Sequence, residues 1–298
     1  MIATVTLNPA VDQTIRTDQP LSPGEVIRAE DASFDAGGKG INVSKYLTAM
    51  GTETVATGVV GGFLGRFVTE RLAAEGIETR FVDIDGTTRL NSTVLATDGE
   101  YKLNQQGPAV SDAAVGAIAE MLASLSPELV VVAGSLPPGP ESGAIDRLAR
   151  AGPWETVVDV DGPLLRELEA DYAWCKPNAP ELEAATGRPV DDLDSATAAA
   201  EALRADGFDR VLASLGADGA VLVSEDNVVH EPAIDCEVVD TVGAGDALLS
   251  GVLAAIDAGA DDDDALQTGV VAATAAVSTP GTNVPALPEP SESDIEPV

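Results

Sequence analysis

The segment Asp240-Thr241-Val242-Gly243-Ala244-Gly245-Asp246-Ala247-Leu248 carries the strongest chemical signal in this 298-residue chain. Its small residues Gly243, Ala244 and Gly245 let backbone N–H groups approach a ligand closely. A helix is predicted to begin at the same place, so free N–H groups and the positive end of a helix dipole converge there. Asp246 puts a carboxylate in that first turn. An anion cradle with a base beside it is what phosphoryl transfer to a hydroxyl requires. The plainer alternative is a Gly-rich loop with an N-capping Asp.

A second segment, Phe34-Asp35-Ala36-Gly37-Gly38-Lys39-Gly40-Ile41-Asn42-Val43, again sets glycines before a helix and holds one of only four lysines. In a chain this acidic, a cation in a tight loop is placed to meet an anion. The dinucleotide template fails because Gly38-x-Gly40 is followed by Val43, and the Walker template fails because Lys39 is followed by Gly40. A turn with an exposed lysine is the alternative. The third segment is Cys175-Lys176-Pro177-Asn178-Ala179-Pro180-Glu181-Leu182. Asn178 and Glu181, three apart, can share a face at a helix start. Such an oxygen pair suits a hydrated Mg²⁺, with helix capping as the alternative. Shorter pieces are Thr6-Leu7-Asn8-Pro9-Ala10-Val11-Asp12, Thr88-Arg89-Leu90-Asn91, Gly134-Ser135-Leu136-Pro137-Pro138-Gly139 and Ser214-Leu215-Gly216-Ala217-Asp218-Gly219. Most of them follow a predicted strand, where open α/β sheets keep their ligand sites.

The elements that must position these residues alternate along the chain. Short apolar runs at 2–7, 54–60, 128–133, 156–160 and 210–214 read as buried strands of the parallel type. Between and after them, 41–50, 64–74, 113–125, 163–169, 195–205, 245–258 and 265–278 read as helices. The alternation predicts an α/β sheet covered on both faces. Two polar stretches, 11–36 and 87–106, break it with two-residue periodicities such as Ser92-Thr93-Val94-Leu95-Ala96. They read as a small β lid outside the main sheet. One domain spans 1–298, with a loose Pro-, Glu- and Ser-rich tail from about 286.

Composition excludes several classes. With 16 basic against 50 acidic residues, the net charge of −34 argues against nucleic-acid and anionic-membrane partners. Two cysteines make no disulfide framework, and with His230 their spacing fits no zinc pattern. The apolar runs are too short to cross a membrane, and the start lacks a basic n-region. A cytoplasmic protein is expected. Self-repulsion on this scale strains a compact state at ordinary ionic strength and is largely screened near 1 M salt, so the composition points to a high-salt cytoplasm.

Taken together, these motifs resemble those of the ribokinase/PfkB family of sugar kinases, over nearly the whole chain. The GGKGINV and DTVGAGD segments look like that family's two signatures, in the same order and at similar separation. The combination is most similar to family members that act on ketohexose phosphates. Fructose 1-phosphate is the leading acceptor, with fructose 6-phosphate and tagatose 6-phosphate as alternatives. The resemblance implies a mostly parallel sheet between helix layers, a β lid over the acceptor, and ATP with Mg²⁺. It implies that Asp246 is the general base and that Gly243, Ala244 and Gly245 serve the transferring phosphoryl. Asp12, Gly38 and Asn42 would bind sugar hydroxyls. Lys39 and Arg89, with Arg28 as a helper, would neutralise the phosphate already on the sugar. Lys176, Asn178 and Glu181 would serve the triphosphate and Mg²⁺. Ser214, Gly216, Gly219, Thr241 and Val242 would line the nucleotide edge. A homodimer through the lid is implied too. Potassium stays open as a further cofactor, since a high-salt cytoplasm supplies it without pointing to a site. A non-catalytic sugar-phosphate sensor on the same fold is the competing class.

Overall fold

The computed structural model describes residues 1–279 together with 284 and 285. The 286–298 tail lies outside the described residues. The chain begins β1 (Ile2–Thr6), β2 (Ala10–Arg16), β3 (Asp31–Gly37), α1 (Lys39–Ala49), β4 (Thr54–Val60), α2 (Gly62–Ala74) and β5 (Glu78–Asp83). It continues with β6 (Arg89–Ala96), β7 (Gly99–Asn104), α3 (Asp112–Leu125), β8 (Leu129–Ala133), α4 (Ser142–Ala149) and β9 (Glu155–Asp159). Next come α5 (Gly162–Leu165), β10 (Tyr172–Cys175), α6 (Ala179–Thr186), α7 (Leu193–Ala205) and β11 (Phe208–Ser214). The last elements are β12 (Ala220–Val223), β13 (Val228–Glu231), α8 (Ala244–Asp257) and α9 (Asp262–Val277).

Nine strands form one sheet in the order β13-β12-β11-β10-β9-β8-β1-β4-β5. All neighbours are parallel except at the β11–β12–β13 edge, which is antiparallel. The strands alternate between two apolar layers, because successive side chains point to opposite faces. Val130 and Val132 face a cluster that takes in Ile118, Ile145, Leu182 and Leu203, from α3, α4, α6 and α7. Val131 and Ala133 face a second cluster with Leu47, Leu249 and Leu266, from α1, α8 and α9. The result is the helix–sheet–helix architecture that the alternation predicts.

Four strands form a separate sheet in the order β3-β2-β6-β7. Here β2 and β6 are parallel, while both outer pairs are antiparallel. A third cluster fastens it to the body: Val11 and Ala36 pack with Ile41, Val68 and Leu72 of α1 and α2. One expected element is much shorter. The helix at 163–169 is the single turn α5, capped at its start by Asp161. The chain then leaves it through Glu169 and Ala170, whose N–H groups donate to the buried Asp146 carboxylate.

Candidate active site

The parallel strands end on one side of the large sheet, and that side gathers the charge. Asp159, the last residue of β9, is fully buried. Lys39, the first residue of α1, donates to Asp159 Oδ1 at 2.7 Å. Lys176, which follows β10, lies 3.2 Å from Asp159 Oδ2. Glu181 Oε1 is 3.8 Å from the Lys39 ammonium. Burial works against the charge on Lys39, but Asp159, Glu181 and Asp246 outweigh it and hold the ammonium above its ordinary pKa.

Asp246 stands in the first turn of α8, whose N-cap Gly243 takes a left-handed φ of 80°. Its Oδ2 accepts from Asn42 Nδ2 at 2.8 Å. Burial, and then the charge of Asp159, push its pKa up to about 6, against the opposing Asn42 bond and the two lysines. A Cβ on Gly245 would lie 3.2 Å from Lys176 Nζ, so the α8 N-terminus and that ammonium border one space.

The small sheet brings a second group. Asp12 Oδ1 accepts from Asn91 Nδ2 at 2.9 Å, across the β2–β6 pair. Burial raises the Asp12 pKa, with Asn91, Arg89 and Lys45 opposing. Arg89 donates to the carbonyls of Asn8 and Gln105, each at 3.2 Å. Gly38 is the N-cap of α1. Arg28 lies exposed on the connection between β2 and β3.

Beyond α8 a cavity of about 430 Å³ is lined by Ser214, Gly216, Gly219, Thr241, Ala244 and Gly245, among others. That size suits a nucleoside. Val242, exposed and with its N–H bonded to Asp240 Oδ1, is not in the lining. Asn178 and Glu181 form a reciprocal capping box on α6, with both bonds at 2.9 Å. The plainer alternative for that pair is therefore realised.

The residues nevertheless suit magnesium. Glu181 Oε1 has the Lys39 ammonium 3.8 Å away, and Asp159 Oδ2 accepts no hydrogen bond among the described residues but pairs with the Lys176 ammonium at 3.2 Å. Both are hard oxygen donors. No group of three ligating side chains exists among the described residues. Phosphates and waters must then complete the shell, which is the usual habit of Mg²⁺.

The structure thus joins Asn42 to Asp246, and Lys39, Lys176 and Glu181 around Asp159. Among the described residues it gives Lys39 and Arg89 no common partner. Sequence reasoning missed Asp159, the hub of the charged group. Its signal is a carboxylate closing the apolar run Thr156-Val157-Val158 at the carboxyl end of a parallel strand, where a buried acid needs a partner.

A helix–sheet–helix body with a separate small sheet, and a buried carboxylate at a helix N-terminus between them, define a class of sugar kinase. The pfkB family carbohydrate kinase model matches residues 5–290, and the chain belongs to that family. It is 55% identical over 287 residues to the 1-phosphofructokinase of Haloferax volcanii, covering 96% of this chain and 94% of that protein. To the 1-phosphofructokinase of Bacillus subtilis it is 34% identical, covering 92% of each. The structure of phosphofructokinase-2 from Escherichia coli in complex with potassium superposes with a TM-score of 0.87, at 27% identity, over 97% of this chain and 95% of that one. The same enzyme in complex with fructose-6-phosphate gives a TM-score of 0.84 at 27% identity, over 93% of each chain.

Proposed function

We propose that the chain transfers the γ-phosphoryl group of ATP to the C6 hydroxyl of fructose 1-phosphate. The observation that carries this reading is the buried Asp246 carboxylate, pushed up to about 6 and aimed by Asn42, at the N-terminus of the helix bordering the cavity. Asp246 takes the hydroxyl proton as the sugar oxygen bonds to the γ-phosphorus. The bond from that phosphorus to its bridging oxygen breaks, and ADP leaves. N–H groups of Gly243, Ala244 and Gly245 receive the charge on the moving phosphoryl. Lys176 neutralises the triphosphate. Lys39, tied to Asp159 beside Lys176, helps neutralise the phosphate already on the sugar. Arg89, helped by Arg28, clamps that second phosphate, while Asp12, Gly38 and Asn42 hold sugar hydroxyls.

Mg²⁺ would be held by Glu181 and Asp159, partly through water, and neutralises phosphate charge when bound. Ser214, Gly216, Gly219 and Thr241, which line the cavity, form the nucleotide edge, and Val242 lies just outside that lining. The potassium complex of the Escherichia coli relative supports K⁺ as an additional activator. The small sheet acts as a lid over the acceptor, and its exposed edge strand β7 supports a homodimer through that sheet. No described helix is long and apolar enough to cross a membrane, which supports work in the cytoplasm.

The test is ADP release with MgATP in about 2 M KCl, a concentration that screens the acidic surface. The acceptors are fructose 1-phosphate, fructose 6-phosphate, tagatose 6-phosphate, fructose and ribose. Fructose 1-phosphate is expected to give the highest kcat/KM. Preference for a 6-phosphate keeps the kinase and reverses the sugar. Folded protein that releases no ADP with any of them overturns the reading in favour of a sensor.

A further inference from the structure

Lys45 is one of four lysines, and the reaction above does not use it. It lies on α1 three residues after Asn42, so the two side chains leave neighbouring positions of one helix face. Asn42 reaches Asp246 on the body. Lys45 reaches the small sheet: its buried Nζ donates to the Ala36 carbonyl at 2.7 Å. Ala36 is the penultimate residue of β3 and sits opposite Val11 on β2. The next residue, Gly37, is what the Asp12 carboxylate rests against. A Cβ there would fall 1.8 Å from Asp12 Oδ2.

The ammonium is held from the body side as well. Glu75 Oε2 lies 3.9 Å from Lys45 Nζ. Arg71 bridges Glu75 at 2.7 Å and Asp35 of β3 at 3.2 Å. The charged groups facing Lys45 are therefore Glu75, Asp35 and Asp12, opposed by Arg71. Burying an ammonium costs free energy that an apolar side chain of similar length avoids. Such a group fixes one arrangement of the parts it joins, because sliding the strand would strip the buried cation of its carbonyl.

We propose that Lys45 is a positioning residue of the acceptor site, pinning the end of β3 to α1 and so setting Asp12 relative to Asp246. The acceptor half of this inference rests on the proposed function; the pinning half does not. Two measurements on Lys45→Met separate them. Hydrogen exchange of the amides at 31–37 is expected to quicken about tenfold, with β1 unchanged. KM for the sugar phosphate is expected to rise about tenfold, with kcat and KM for ATP within about twofold of the wild type.

Arg71→Met, at a half-exposed position, removes the outer tie and is expected to give smaller shifts of the same kind. It decides the matter should Lys45→Met fail to fold. Unchanged exchange at 31–37 overturns the proposal. Faster exchange with a wild-type acceptor KM also overturns it, because the sheet is then pinned without consequence for the acceptor. A wild type that turns over no acceptor sinks the kinase reading instead, and the exchange result still decides the pinning.

Discussion

The two sheets divide the labour by opposite means. In the large sheet, β1 and β4 are buried at every position, and β8 is buried at four of five. In the small sheet, all eight residues of β6 are half-buried and all six of β7 are exposed. On the large sheet Asp159 closes β9 and Lys176 follows β10, and with Lys39 from α1 they form an ionic group where low polarity strengthens each charge interaction. The wetter strands offer Asp12, Asn91 and Arg89, polar groups that alternate along the pleat and can exchange water for hydroxyls and phosphate. A buried, ion-paired body suits rate, and a polar sheet fastened by a small apolar cluster together with the Lys45 and Arg71 contacts suits recognition. Changes on the body should therefore alter kcat, and changes on the small sheet should alter the KM of the acceptor.

The largest expected effect is on the body. Asp246→Asn keeps the Asn42 neighbour and removes the proposed base, so kcat should fall about 10²- to 10⁴-fold with modest change in KM. Near-normal kcat would break the division at its strongest point. The pH profile carries the same information. With its pKa raised from 3.8 to about 6, Asp246 is ionised, as the proposed base must be, only above that range. kcat should drop about tenfold per pH unit below it. The linkage to stability has the opposite sense. The folded state binds this proton more tightly than the unfolded state, so the contribution of Asp246 to stability is fully present below about pH 4 and is lost as pH rises to about 6. Asp246→Asn should flatten that part of the melting profile.

The same contrast governs what the sequence revealed. Runs such as Leu129-Val130-Val131-Val132-Ala133 announce buried parallel strands, because five apolar residues rich in β-branched Val are too short for a buried helix. The small sheet was legible from the break in that pattern, though β5, β12 and β13 were not separated from their surroundings. The N-termini of α1 and α8 were legible through their glycines. Asp159 was not, because a single acid at a strand end looks like the start of a loop until two lysines from distant segments meet it. Asn178 and Glu181 were ambiguous for a physical reason. The spacing that presents two oxygens to a cation is also the spacing of a capping box. Lys39 and Arg89 looked alike as cations, and only tertiary contacts assign them to Asp159 and to two backbone carbonyls.

An intermediate effect is expected on the small sheet, where the proposed function puts the acceptor. Arg89→Ala removes a guanidinium held over Asn8 and Gln105. A charged hydrogen bond is worth about 1.5–3 kcal/mol, so KM for the sugar phosphate should rise about 10- to 100-fold. kcat at saturating acceptor and KM for ATP should stay close to wild type. Lys39→Ala sharpens the contrast. Because Lys39 is bound to Asp159 on the body, its loss should lower kcat as well as raise the acceptor KM. If Arg89→Ala lowered kcat just as strongly, the small sheet would belong to the transfer step and the division would fail.

The smallest effect on the fold is expected at the outer strand. Leu103 on β7 is 62% exposed within one chain, and Tyr101 nearby is 37% exposed. An apolar pair on an edge strand invites a second copy. If the small sheet forms the homodimer interface, Leu103→Asp places a charge at its centre and should shift sedimentation from dimer to monomer. Leu103 supports no core cluster, so monomer stability should change by less than about 0.5 kcal/mol. A dimer that survives Leu103→Asp would assign the interface to another face. A large loss of monomer stability would mean that β7 packs against its own chain more than its exposure indicates, and the contrast between a dry body and a wet sheet would need redrawing at this edge.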